Sequence, residues 1–154
     1  MSALYFLETS DFYIKRSQLN DGTILCNNIQ GMSVCFFYSG SNCIYSKQLL
    51  PIFKRIKINN VQMSIVNLDI QKDLIHMSHT TKSPIKFTPI ITMYYNGVPY
   101  NNFDNNSKMT EETIIQFIIQ MGQHIQGSLK KHAELQQNNN SLRFSLFRFP
   151  KIGF

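Results

Sequence analysis

Three cysteines, Cys26, Cys35 and Cys43, are the strongest nucleophiles in this 154-residue chain. A thiol reacts as its thiolate. Unpaired N–H groups and the positive end of the macrodipole stabilise that thiolate at the amino end of a helix. Ser39-Gly40-Ser41-Asn42 reads as a loop, and Asn42 is a suitable cap for a helix from Cys43 to about Ile58. Leu49, Phe53 and Ile56 share one face of that helix, with Pro51 as an internal kink; Lys54, Arg55 and Lys57 fill its last turn. Cys43 therefore stands where helix-end activation is largest, which suits an attacking thiol that forms mixed disulfides. The competing reading is a buried, inert cysteine. Ser46 either hydrogen-bonds the Cys43 thiolate or is an ordinary first-turn serine. Cys35 lies in an apolar run and reads as a small core residue, whereas Cys26, on a less certain strand, is the more reachable. His76, His79, His124 and His132 lack the convergent carboxylates or cysteines of a metal site, and neither a metal nor a cofactor is expected.

The elements that must position Cys43 follow from the pattern. Leu4–Leu7 reads as a strand, Ser10-Asp11 as the cap of a short helix with Phe12 and Ile14 inward, and Thr23–Cys26 as a strand after the Asn20-Asp21-Gly22 turn. Val34–Tyr38 is a continuous apolar run of the kind buried on both faces of a sheet. Val61–Leu68 reads as a second central strand, and residues 69–80 as a weaker helix carrying Leu74 and Ile75. Pro89–Tyr95 is a third such strand, turned by Asn96-Gly97 into Val98-Pro99-Tyr100. Thr110 caps a last helix, with Glu111 and Glu112 at its positive end and Ile114, Ile118, Met121 and Ile125 at helical spacing, ending at Gly127. This order predicts an α/β protein with a mixed sheet and helices on both faces.

Two segments together resemble thioredoxin. The first is Phe37-Tyr38-Ser39-Gly40-Ser41-Asn42-Cys43-Ile44-Tyr45-Ser46-Lys47 with Pro51 beyond it, and the second is Thr88-Pro89-Ile90-Ile91-Thr92-Met93-Tyr94-Tyr95-Asn96-Gly97. Val66-Asn67-Leu68-Asp69 between them looks like the family's third strand and its acidic turn. The resemblance covers about residues 4–126 and implies a three-layer sandwich, a mixed sheet of four or five strands flanked by helices, with a C-terminal extension. It implies a cis Thr88-Pro89 bond beside Cys43 whose backbone pairs with an extended substrate, and a substrate-binding wall of Asn42, Tyr45, Thr88 and Pro89. It also implies partners that are cysteine-containing proteins or glutathione. The departures are specific. Ser46 replaces the resolving cysteine, Phe37 the buried acid, Asn42 the tryptophan, and Ile44-Tyr45 the Gly-Pro pair. Cys43 and Ser46 thus form a monothiol motif, from which efficient general disulfide reduction is not expected.

Composition sets the wider bounds. Hydrophobic residues make up 43% and charged residues 16%, against a usual charged share of about 25%. The net charge of +6 admits an acidic partner without naming one. An odd, sparse cysteine set favours a reducing compartment, and neither a signal peptide nor a membrane span is legible, so an intracellular, cytoplasmic protein is expected. The expected division is a domain over 1–127 and a tail over 128–154. That tail holds a Gln/Asn-rich linker at 136–140, then Arg143, Phe144, Phe147, Arg148, Phe149, Lys151 and Phe154. Such a tail suits protein docking through 142–154 better than burial on its own domain, and nucleic acid least, because its charge is modest. The Asn-, Ile- and Lys-rich composition suggests an AT-rich genome, and large DNA viruses carry diverged thioredoxin-like proteins, some packaged in the virion. The alternative to thiol chemistry is accordingly a redox-inactive thioredoxin-fold module that docks through its tail.

Overall fold

The computed structural model describes residues 4–41 and 43–152, with the side chains of 139–152 outside that description. Two compact units divide the chain, one up to Ile119 and one from Gln120 onward.

The first unit is built on a five-stranded mixed sheet. Its strands are β1 (Leu4–Phe6), β4 (Met32–Tyr38), β5 (Val61–Asn67), β6 (Ile90–Tyr95) and β7 (Val98–Asn102), in the order β1-β5-β4-β6-β7. β5 runs parallel to β1 and β4, while β6 runs antiparallel to β4 and β7. The apolar runs read as central strands are the buried ones: Val34, Cys35 and Phe36 are fully buried, as are Val66, Ile91 and Met93. Successive side chains of β4 serve opposite faces. On one face Phe36 stacks on Phe53 of α1 (Ile44–Arg55), with ring centroids 5.0 Å apart. On the other, Cys35, Phe37, Val66 and Tyr94 form a core with Leu74 of α2 (Asp73–His79) and with Phe12 and Leu25.

Phe12 and Leu25 belong to a separate two-stranded sheet, β2 (Phe12–Arg16) paired antiparallel with β3 (Thr23–Asn27). The helix expected after Ser10-Asp11 is therefore absent. Only a 3₁₀ turn forms at Thr9–Asp11, and Ile14, expected inward, is 41% exposed. The aromatic and β-branched run Phe12-Tyr13-Ile14 favours an extended backbone, and Ser17 N–H bonding Gly22 O closes the hairpin. α1 ends three residues before the expected Ile58. α2 begins only at Asp73: the residues before it form a turn in which Ile70 N and Gln71 N both bond Asn67 O, and Gln71 Oε1 accepts from Thr9 N and Oγ1.

The last helix, α3 (Glu111–Ile152), starts as expected: Thr110 Oγ1 accepts from Thr113 N, and Thr113 Oγ1 accepts in return from Thr110 N. It does not stop at Gly127. That glycine has no left-handed backbone, so no cap forms, and the stretch 136–140 expected as a linker is helical. A glycine inside a helix costs about 1 kcal/mol relative to alanine, which long flanking helical segments offset. The second unit is the remainder of this helix.

Gly97 ties the β6–β7 turn to the small sheet. Its φ is +80°, its carbonyl accepts from Asn27 N at 2.9 Å, and a Cβ there would run into the Asn27 carbonyl. Gly31 also has a positive φ (+73°) but open space around it. Gly97→Ala is expected to cost about 2 kcal/mol or more and lower Tm by about 5 °C, combining strain with displacement of β3. Gly31→Ala meets only the backbone strain and should cost roughly half as much. Thermal unfolding of the two variants separates these terms, and equal losses would mean that the Asn27 approach contributes nothing.

Candidate functional site

β4 and β6 are antiparallel with Phe37 opposite Ile90, so the end of β4 and the start of β6 lie at one end of the sheet. The chain leaving β4 enters the 39–43 loop, and the chain entering β6 passes through Thr88 and Pro89. The Thr88–Pro89 peptide is cis.

Cys43 is the N-cap of α1, with extended φ and ψ, and its sulfur accepts from Ser46 N at 3.4 Å. The cap expected of Asn42 is thus supplied by the cysteine itself, and Asn42 lies outside the described residues. On its other side Sγ donates to Thr88 O at 3.4 Å. Ser46 is fully buried beneath the sulfur and its Oγ accepts from Ser39 N at 3.4 Å, which leaves the hydroxyl proton to point at Sγ. Burial, only partial here, pushes the Cys43 thiol up. The Ser46 hydroxyl and N–H, the Thr88 side chain and the Tyr45 N–H together outweigh it, and the thiol lies below its ordinary value. The Thr88 carbonyl works against them, because it accepts a bond that only the protonated thiol can donate.

The other thiols are remote from this chemistry. Burial pushes Cys35 up to about 12, and burial also raises Cys26, which is 0% exposed. Cys26 is therefore less reachable than its sequence setting suggests. Phe37 is buried against Phe12 at 5.9 Å, so a second apolar ring fills the place where the resemblance puts an acid. Pro89 is buried and Thr88 half-buried. Tyr45 has an exposed ring whose hydroxyl accepts from Met109 N at 3.3 Å. Cys43, Ser46, Thr88 and Pro89 therefore come together, and Tyr45 flanks them. The side chains of Arg143, Phe144, Phe147, Arg148 and Phe149 lie outside the described residues. His76 and His79 are exposed, and no three His, Cys, Asp or Glu side chains converge as metal ligands among the described residues. No described helix is long and apolar enough to cross a membrane.

Asp69 is the member that residue spacing did not single out. Its carboxylate accepts from Ser39 Oγ at 2.6 Å and from Ser41 Oγ and N at 2.8 and 2.9 Å, clamping the loop that delivers Cys43. The Ser39 hydroxyl and then the Ser41 donors hold this carboxyl below the usual range. The one available signal was a Ser-Gly-Ser loop facing an acid after the next strand.

No family model matches the chain. It is 31% identical over 149 residues to uncharacterized protein 196R of Invertebrate iridescent virus 6, covering 86% of this chain and 84% of that one. Among solved structures, the human ERp44 zinc-bound form superposes with a TM-score of 0.54 at 18% identity. That match covers 78% of this chain but 31% of the other, so this chain spans about a third of it. The thioredoxin of Malassezia sympodialis gives 0.53 at 16% identity over 78% and 91% of the two chains. The likenesses establish the fold.

Iodoacetamide labelling at Cys43 is expected to titrate below the free-cysteine value near 8.5, and Ser46→Ala to move it upward by removing one donor. An unchanged profile in Ser46→Ala would leave the N–H groups and the Thr88 side chain as the cause. Asp69→Asn is expected to lower Tm at neutral pH. A carboxyl whose folded pKa is depressed stabilises above its unfolded value near 3.9 and loses that effect as pH falls through the folded one. The Tm gap between the two proteins should therefore close below about pH 4, measured by thermal unfolding across pH.

Proposed function

The chain belongs to the thioredoxin-like family, and on that premise we propose that it is a monothiol exchange protein that engages protein cysteines through Cys43. The observation that carries the reading is the environment of one sulfur. It caps a helix, receives the Ser46 N–H and hydroxyl, and stands beside the backbone of Thr88.

The reaction has two halves. The Cys43 thiolate attacks a substrate disulfide, forming a Cys43–substrate disulfide, and the displaced sulfur leaves as a thiolate that takes a proton from water. Release needs a second thiolate to attack that bond. Ser46 cannot provide it, because an oxygen in that position does not exchange with sulfur. Cys26 and Cys35 are sealed in the core. A thiol from outside these residues, on a partner protein or on glutathione, therefore completes the cycle, and efficient turnover on general disulfides is not expected.

Ile44 and Tyr45 on α1 and Phe87 before Thr88 are exposed at 76%, 41% and 48%. Apolar side chains around a reactive thiol favour a protein substrate, whose flanking residues can cover them.

Trapping from a lysate tests the reading. Mixed disulfides caught by acid quench and thiol blocking should include species that disappear with Cys43→Ser. An identical pattern without Cys43 would overturn the proposal. In Ser46→Cys, a mild oxidant should drive an internal disulfide between Cys43 and the introduced thiol. The trapped species should then fall, because a resolving group sits one helical turn away.

A further inference from the structure

Beside the sulfur, a groove of about 530 Å³ opens between the 39–41 loop, α2 and residues 85–88. Thr88 lines it and is also the residue whose carbonyl meets Cys43 Sγ, so a chain presenting its cysteine to Cys43 has this groove directly alongside. The apolar lining is Leu68, Ile75, Ile85 and Phe87.

The charged lining is uneven. Lys72, Lys86 and His76 are exposed, and among the described residues neither lysine is in an ion pair. Asp69 is the one acid in the lining, and three hydrogen bonds from Ser39 and Ser41 already engage its oxygens. The groove thus presents two exposed ammonium groups without acidic partners, beside an apolar floor.

We propose that this groove selects substrates by acidity: the segment it accepts is an extended stretch of protein with Asp or Glu within a few residues of the cysteine that reacts with Cys43. This rests on the thiol-exchange reading of Cys43. Complementary charge at a site of this kind acts mainly on encounter and on the choice of partner, and is weakened by salt.

Peptides carrying one cysteine as a 2-thiopyridyl disulfide test it, with either Asp and Glu or Asn and Gln flanking the cysteine. The Cys43 thiolate attacks the peptide sulfur, a new S–S bond joins protein to peptide, and 2-thiopyridone leaves and is read by absorbance. The acidic peptide should react about tenfold faster at low salt, with the advantage shrinking as salt is added. The double variant Lys72→Gln, Lys86→Gln should lose most of that advantage. Lys54→Gln should keep it, because Lys54 lies about 16 Å away along α1 at 1.5 Å per residue. Equal rates for the two peptides, or an advantage that survives the double variant, would overturn the proposal.

A second arm separates the groove from the thiol. Fluorescent peptides without the disulfide are bound to Cys43→Ser protein and followed by anisotropy. Tighter binding of the acidic peptide that depends on Lys72 and Lys86 supports the groove whatever Cys43 does, and equal binding overturns it. Absence of reaction with either peptide overturns the exchange reading itself.

Discussion

The site rests on the register of two strands. β4 and β6 pair antiparallel with Phe37 opposite Ile90, which brings the exit of one strand and the entrance of the other to the same end of the sheet. Cys43 and Thr88 sit in the two short connections that result, one leading from β4 into α1 and the other, residues 86–89, leading into β6. A slip of one residue would exchange the side chains that β4 gives to Phe53 on one face and to the Phe12 and Leu74 core on the other, so the packing enforces the register and the register enforces the meeting of Cys43 with Thr88. The close pairing of Gly97 with Asn27 extends the same constraint to the small sheet on the far face.

Within that frame the sulfur carries two duties at once. As the cap of α1 it satisfies a backbone N–H that would otherwise be unpaired, and as a nucleophile it must hold negative charge. The duties agree, since a thiolate accepts hydrogen bonds better than a thiol. Ser46 shares this logic. Its hydroxyl keeps the donor geometry that favours the charged sulfur while giving up the ability to take over a disulfide. The Thr88 carbonyl opposes ionisation from the other side, so the thiol is poised by competing contacts, with the donors prevailing.

The sheet was legible in the sequence and the connections were less so. Val34–Tyr38, Val61–Leu68 and Pro89–Tyr95 declare themselves because a strand buried on both faces is apolar without interruption. Phe12-Tyr13-Ile14 misleads because three residues cannot show a period, and its pairing with β3 is decided by the Ser17–Gly22 turn. Gly127 reads as a stop on local grounds, but a helix ends at glycine only where the chain takes up a left-handed turn. Cys43, Ser46, Thr88 and Pro89 could be found by their types and order. Asp69 could not, since its role depends on a loop 28 residues away in sequence meeting the end of β5.

That clamp also shapes the electrostatics of the neighbouring groove. Asp69 opposes an acidic segment at the surface where Lys72 and Lys86 attract it. Bonded to Ser39 and Ser41, the carboxylate keeps its charge but is held against the loop, its acceptor sites already filled. The adjoining surface stays net cationic because Lys72 and Lys86 outnumber that single carboxylate. Because no second thiol is within reach to release what Cys43 binds, the lifetime of each mixed disulfide is set from outside. The groove then contributes mainly to which cysteine is engaged at all, and selection at that step matters more here than it would in a site able to undo its own errors.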